Sequence, residues 1–285
     1  MSQKVLILDF GSQVTQLIAR RVRELNIYCE IVPFHATIDW QSEDIKAVIL
    51  SGSPASVRQD KAPGVDLQKI ASQCPVLGIC YGAQLIAAQL GGEVSPSKHR
   101  EYGNANLKQL GSDPLWEGIP NESQIWMSHS DTITQLPKDY LCIGATDDIP
   151  IAAFKSTHTQ HPIYAVQFHP EVVHSPYGTQ ILGNFLIGIC QLEASWTPFS
   201  FVEQTVADIQ KQIGDDEVLL ALSGGVDSSV AALLMHKAIG NKLRCFFIDN
   251  GLLRKNEFQE VLDAYAHIGL DVKGIDAKKY FLNAL

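Results

Sequence analysis

The sequence predicts an α/β protein with two units of mostly parallel sheet and helices packed on the sheet faces. Three observations carry that prediction. Residues 5–8 (Val-Leu-Ile-Leu), 47–50 (Ala-Val-Ile-Leu) and 218–222 (Val-Leu-Leu-Ala-Leu) are continuous apolar runs, the mark of strands covered on both faces. Segments with apolar residues at helical spacing lie between such runs, and strand–helix–strand order implies parallel pairing through right-handed crossovers. Two turns rich in glycine, at 78–84 and 223–229, each join an apolar run to a helix-forming stretch.

Taken in order, the strand at 5–8 leads through a loop, Asp9-Phe10-Gly11-Ser12-Gln13, into a helix. Val14, Leu17, Ile18, Val22 and Leu25 line its apolar side, with Arg20, Arg21, Arg23 and Glu24 mostly opposite. Residues 28–32 and 47–50 supply two more strands. Ser51-Gly52-Ser53-Pro54 then follows a strand at its carboxyl end, the edge where open α/β sheets place their sites; taken alone it reads as a plain turn. Residues 74–77 form the next strand, followed by the turn Gly78-Ile79-Cys80-Tyr81-Gly82-Ala83-Gln84 and a helix stopped by Gly91-Gly92. From 93 to about 154 the pattern changes to short strands and turns, read as antiparallel additions. Within it Trp126-Met127-Ser128-His129-Ser130-Asp131 packs polar groups densely after an apolar start, for which a capped turn is the simplest reading. A clear strand at 163–168 ends in His169-Pro170-Glu171, and a buried helix at 177–192 closes the first unit. The most apolar stretch of that helix, 181–192, is too short to span a membrane.

The pattern breaks at 193–198, so the first domain is placed at 1–193, a linker at 194–200 and a second unit at 201–285. That unit has a helix at 201–213 and a buried strand at 218–222. The turn Ser223-Gly224-Gly225-Val226-Asp227-Ser228-Ser229 leads to a helix from 230 to about 238, followed by strands at 245–248 and 271–275 with a helix between them.

Composition limits the function classes. A chain of 285 residues exceeds one typical small core and suggests two domains. With 46% apolar and 19% charged residues it should be folded rather than disordered. A net charge of -9 argues against nucleic-acid and acidic-membrane partners. Six cysteines without C-x-x-C pairs, and no secretory signal at the first residues, point to free thiols in a reducing cytoplasm.

The first turn carries candidate chemistry. A strand, a sharp turn flanked by glycines and a helix make a nucleophile elbow with sulfur as the nucleophile. Cys80 is then at a helix N-terminus, where the dipole and free N–H groups favour a thiolate. The alternative is an inert buried thiol. Downstream, His169 ends a strand and Glu171 lies two residues on, pointing the same way in extended chain, so Glu171 can orient His169. Nucleophile, base and orienter are the parts of a triad. Histidines and cysteines do not cluster at ligand spacing, so no metal is expected in this domain.

The second turn, residues 223–229, offers bare backbone N–H groups and hydroxyls at a helix N-terminus, a cradle for an anion. It lacks the lysine of the common ATPase phosphate loop. A glycine turn with a serine cap is the simpler reading, though two glycines and three serines exceed what a cap requires.

The residues around Cys80 and the run Phe168-His169-Pro170-Glu171 resemble the signatures of the class I glutamine amidotransferases. Residues 223–228 resemble the pyrophosphate loop of the ATP pyrophosphatases. Their order, with residues 7–13 at the start and Ile248-Asp249-Asn250-Gly251-Leu252-Leu253-Arg254 near the end, resembles the glutamine-hydrolysing GMP synthases over essentially the whole chain. The resemblance implies a flavodoxin-like amidotransferase domain followed by part of an adenine nucleotide alpha hydrolase-like ATP pyrophosphatase domain. It also implies Cys80, His169 and Glu171 as catalytic residues and the N–H groups of Gly52 and Tyr81 as an oxyanion hole. Gln84, Ser130 and Asp131 would hold glutamine. Ser223, Gly224, Gly225, Val226, Asp227, Ser228 and Ser229 would hold the pyrophosphate of ATP, taken with Mg²⁺, as XMP is activated and aminated. The family is cytoplasmic and forms homodimers. Its members continue well beyond residue 285, so the second domain is expected to be incomplete, with most of the XMP site and the dimer-forming part absent. On this reading the chain retains at most the glutaminase half and exposes an apolar face. A synthetase for another acceptor and a non-catalytic regulatory chain are the competing readings. Intact Cys80, His169 and Glu171 count against the second of these.

Overall fold

The computed structural model describes residues 3–284, with residues 98–101 as backbone only. The chain divides into two compact units, Met1–Trp196 and Thr197–Leu285. In the first, β1 (Lys4–Asp9), α1 (Thr15–Glu24), β2 (Cys29–Pro33) and β3 (Ile45–Leu50) are followed by a short helix, α2 (Leu67–Ala71). Then come β4 (Val76–Ile79), α3 (Tyr81–Gln89), β5 (Glu93–Gln109), β6 (Ser123–Gln135), β7 (Tyr140–Ala145), β8 (Ala153–Ser156), β9 (Ile163–Val166) and α4 (Gly178–Gly183). These strands form one nine-stranded sheet in the order β2-β1-β3-β4-β9-β8-β7-β5-β6. Pairing from β2 to β9 is parallel, and from β9 onward antiparallel. The expected mostly parallel α/β architecture is the one found.

Burial explains the continuous apolar runs. Along β1, Val5 and Ile7 join one core with Ile18 and Val22 of α1 and Leu182 and Phe185 behind them. Leu6 and Leu8 point the other way, into a second core with Ala83 and Ile86 of α3. Strands covered on both faces have no polar side to alternate with. The chain runs from β1 outward to β2 and returns past β1 to β3, so the strand order reverses there, the place where such sheets leave a crevice at their carboxyl ends.

Several expectations are corrected. The region 93–154 is built on a long hairpin, β5 of 17 residues and β6 of 13, rather than short strands. Residues 126–131 lie inside β6 and are not a capped turn: buried Ile125, Met127, His129 and Asp131 alternate with less buried neighbours, a period of two. The strand before Cys80 starts at Val76 and takes in Gly78 and Ile79. The closing helix is α-helical only over Gly178–Gly183 and continues as a π-helical turn, Asn184–Ile189, with Ile187 and Gly188 exposed.

The second unit comprises α5 (Pro198–Ile213), β10 (Val218–Leu222), α6 (Val226–Ile239), β11 (Leu243–Asp249), α7 (Glu257–His267), β12 (Val272–Asp276) and α8 (Lys278–Ala284). The three strands are parallel in sequential order. Because the chain advances in one direction, right-handed crossovers put α6 and α7 on the same face. Leu222, Leu243, Cys245 and Phe247 pack there with Ala232 and Tyr265. The opposite face is bare among the described residues, so β10 is not the doubly buried strand its composition suggests: Leu219 is 73% exposed. Helix α6 begins at Val226, four residues earlier than the apolar pattern indicates, so Val226, Asp227, Ser228 and Ser229 form its first turn.

Beside the elbow, the packing is glycine on glycine. A β-carbon at Gly78 would stand 2.6 Å from Ile86 Cδ1 and 2.7 Å from the Gly82 carbonyl, and one at Gly82 would press into Leu50. At Gly188 a β-carbon meets open space. We expect Gly82→Ala to lower unfolding free energy by about 2–3 kcal/mol, a melting shift of roughly 5–10 °C, while Gly188→Ala is neutral or better. Equal melting temperatures for the two variants would refute the packing argument.

Candidate active site

Four strand ends build the site. Cys80 stands between β4 and α3 with φ 52° and ψ −103°, in the left-handed half of backbone space that a side chain enters only under constraint. Its N–H donates to the Val166 carbonyl at 2.8 Å, and its own carbonyl accepts from the N–H groups of Ala83 and Gln84, both at 3.1 Å. Gly82 N–H donates to the Ser51 carbonyl at 3.1 Å, which fixes the elbow to the loop after β3. That loop is tied to β1 in turn. Phe10 N–H donates to Ser51 Oγ at 3.1 Å, and Ser53 Oγ–H donates to the Phe10 carbonyl at 2.8 Å. Ser51 is fully buried, so the position of Gly52 is set by hydrogen bonds that water does not contest.

His169 arrives from the end of β9. Its N–H donates to the Trp126 carbonyl of β6 at 2.9 Å, and its carbonyl accepts from Ser175 Oγ at 2.6 Å. Ser175 Oγ accepts from Trp126 N–H at 3.0 Å and closes the loop. The ring Nδ1 lies 2.7 Å from Glu171 Oε1, and the Glu171 side chain is wholly buried. Burial disfavours a charged ring, but the Cys80 sulfur and the Glu171 carboxylate outweigh it and push the imidazole up to about 11. The nucleophile position is thus matched to an imidazolium with an acid behind it. Gly52 backs onto the same ring: a β-carbon there would lie 3.5 Å from His169 Cε1.

On the far side of the sulfur, buried Gln84 donates through Nε2 to the Asp131 carbonyl at 2.9 Å. Cys80 Sγ is 3.7 Å from the Ser128 carbonyl. Two cavities flank Cys80. One, of about 400 Å³, is lined by Gly52, His169, Trp126 and the residues 11–14 that follow β1. The other, of about 320 Å³, is lined by Tyr81, Gln84, Ser128, Ser130 and Asp131. The structure therefore brings Gly52, Cys80, Tyr81, Gln84, Ser130, Asp131, His169 and Glu171 to one place. In the sequence, Ser51, Ser128 and His129 fall within the stretches 51–54 and 126–131 with no role of their own, and Ser56 and Arg58 carry no signal. His129 lines the smaller cavity, and burial holds its imidazole neutral, pulled down to about 4. Ser128 and His129 belong to β6, whose alternation shows once β5 is paired with it, whereas Ser51, Ser56 and Arg58 lie in the loop after β3.

In the second unit, Ser223, Gly224 and Gly225 follow β10 and precede the α6 N-terminus. Gly224 has φ +77°, Ser223 Oγ lies 3.0 Å from Ser228 Oγ, and Gly225 N–H donates to Ser223 Oγ at 3.3 Å. Ser229 Oγ donates to the Gly225 carbonyl at 2.8 Å and sits 3.0 Å from Tyr265 Oη. The loop and the first helical residues, through Asp227, are exposed. Exposed N–H groups and hydroxyls around a helix N-terminus fit a polyanion. Among the described residues, no cluster of three or more His, Cys, Asp or Glu side chains could hold a metal, and no helix is long and apolar enough to cross a membrane.

Comparison with known proteins agrees with this geometry. Residues 6–189 match the family model for class-I glutamine amidotransferases, and residues 199–283 match that for NAD synthase, an ATP pyrophosphatase domain. Proteins named GMP synthase (glutamine-hydrolyzing) from Christiangramia forsetii and Cytophaga hutchinsonii are 56% and 53% identical over the full chain. The chain spans 56% of the length of each. Among solved structures, a Thermoplasma acidophilum protein assigned as one component of a GMP synthase superposes with a TM-score of 0.56 at 32% identity. That superposition covers 72% of this chain and 98% of the other. A glutamine amidotransferase of Thermotoga maritima, at 17% identity and a TM-score of 0.51, shares the fold. With well over half of its length in the matched region and the elbow, histidine and acid gathered at the sheet's carboxyl edge, the chain belongs to the class-I glutamine amidotransferases.

Proposed function

We propose that the first unit hydrolyses glutamine to glutamate and ammonia, with Cys80 as nucleophile. The observation that carries this reading is the buried His169–Glu171 pair, 2.7 Å apart, whose imidazolium is supported by the Cys80 sulfur. Glutamine enters the smaller cavity, where Gln84 and the main chain at Ser130 and Asp131 hold it. The thiolate attacks the side-chain amide carbon, and the N–H groups of Gly52 and Tyr81 receive the negative charge that develops on oxygen. Loss of one such donor typically costs about 3–4 kcal/mol of transition-state stabilisation. His169 gives its proton to the departing amine and ammonia leaves. Water then attacks the thioester with the same ring as base, releasing glutamate.

In the complete protein the ammonia is used to aminate XMP to GMP. ATP, with Mg²⁺ bound to its phosphates, activates the XMP, and AMP and pyrophosphate are released. Residues 223–229 hold the pyrophosphate through backbone N–H groups and the Ser223 and Ser228 hydroxyls. Relatives named for GMP synthesis, matching over the whole chain, favour this acceptor over another. The same reading makes the complete protein a homodimer, and six free cysteines suit a cytoplasmic site.

Cys80→Ala should abolish glutamate release from glutamine, measured by coupled glutamate oxidation, and retained turnover would sink the assignment. In the complete protein the same variant should still form GMP from ammonium salts; loss of that reaction too would show that Cys80 serves more than ammonia supply.

The His169 ring gives a pH test. Its raised value means the ion pair supports the fold fully below about pH 6.5, and that support fades as pH climbs toward 11. Ring NMR resonances should show an imidazolium still present at pH 8. Cys80→Ala should move neutralisation to lower pH, since Glu171 alone then supports the charge. A ring that is neutral at pH 8 in the unaltered chain would contradict the pairing.

A further inference from the structure

The smaller cavity is closed on one side by the loop that follows β3, and that loop is fastened at two points. At its start, Ser53 Oγ–H donates to the Phe10 carbonyl at 2.8 Å and accepts from Ala55 N–H at 3.2 Å. At its end it reaches across to β6. Arg58 donates from Nε and Nη2 to Asp131 Oδ1, at 3.2 and 3.0 Å, and Ser56 Oγ–H donates to Asp131 Oδ2. The Ser56 hydroxyl also accepts from Arg58 N–H at 3.2 Å, so the two grips are one unit. The Asp131 side chain is only 4% exposed whereas that of Arg58 is 44% exposed. A carboxylate so deeply buried requires a charged or hydrogen-bonding partner, and this loop supplies both. On its other side, Asp131 accepts from Gln84 through its main-chain carbonyl. The span between the two fastenings, Ser53, Pro54 and Ala55, is cavity wall facing Ser128, Ser130 and Asp131.

We propose that Arg58 and Ser56 are positioning residues for the amino-acid substrate: by gripping both oxygens of Asp131 they clasp the loop onto β6 and set the width of the glutamine cavity. The inference rests on the glutaminase reading above. Arg58 does not line the cavity and acts through Asp131 and the loop. Its charge has a second consequence. An unpaired Asp131 carboxylate at the wall would repel the α-carboxylate of an entering amino acid, and the guanidinium cancels that repulsion. Arginine suits the role because its planar fork engages the carboxylate through two N–H groups, which a lysine cannot reproduce.

The test uses the 285-residue chain and two reagents that alkylate Cys80, with modification at that residue read by peptide mass spectrometry. One is a glutamine analogue carrying a diazoketone in place of the amide, which must occupy the cavity first. The other is iodoacetamide, which need not. In Arg58→Ala the half-saturating concentration of the analogue should rise about tenfold or more, with partial recovery in Arg58→Lys and an intermediate rise in Ser56→Ala. The limiting alkylation rate and the iodoacetamide rate should stay within about threefold of the unaltered chain. An unchanged half-saturating concentration in Arg58→Ala overturns the clasp, and so does an equal loss with both reagents, which would mark general damage. If the unaltered chain shows no saturable preference for the analogue at Cys80, the glutaminase reading fails and the clasp with it.

Discussion

The close approach of α3 to the sheet is the constraint on which the first unit depends. Gly82 sits against Leu50 and Gly78, and its N–H bonds the Ser51 carbonyl. Any side chain at either glycine would push the helix away from β3. The elbow would then lose its hold on the loop that carries Gly52, and the N–H groups of Gly52 and Tyr81, proposed above as oxyanion donors, would no longer be held in a fixed relation. Backbone contact, rather than side-chain packing, thus sets the spacing of the site. This is why it tolerates no volume at positions where a sequence shows only the smallest residue.

A second dependence is electrostatic. His169 is held by main-chain bonds to β6, by Ser175 and by Glu171, so its ring has little freedom to turn. Burial would strip its proton, and only the neighbouring sulfur and carboxylate retain it. His129, one strand position beyond Ser128, shows the opposite outcome in a similarly buried setting: its ring is held neutral, and the nearby His169 charge adds to the effect. Two imidazoles close to the same sulfur are therefore separated by their surroundings into one cationic and one neutral ring, a difference that amino-acid type alone does not carry.

Much of this was legible in the sequence because it depends on local pattern. Apolar runs such as 5–8 and 47–50 announced a doubly covered sheet, and Gly78, Cys80 and Gly82 announced the elbow through short-range sterics. What the sequence concealed depends on distant partners. The polar run 126–131 looked like a turn because its alternation is visible only once β5 lies alongside. Leu219 looked buried because composition does not reveal that all crossovers lie on one face of β10–β12. Arg58 carried no pattern at all: it matters through Asp131, 73 positions away. The early start of α6 at Val226 was hidden because Asp227, Ser228 and Ser229 favour turns as readily as a helical first turn.

The backbone angles of Cys80 also bear on how stability and reactivity trade against each other. A non-glycine residue at φ 52° and ψ −103° holds strain of order 1–3 kcal/mol, balanced by the bonds to Val166, Ala83 and Gln84. Glycine is the one residue that would relax fully there, and it has no sulfur. The most relaxed version of this turn and the version that carries a thiol therefore differ at the same residue, and the thiol is kept in place against the preference of its own main chain.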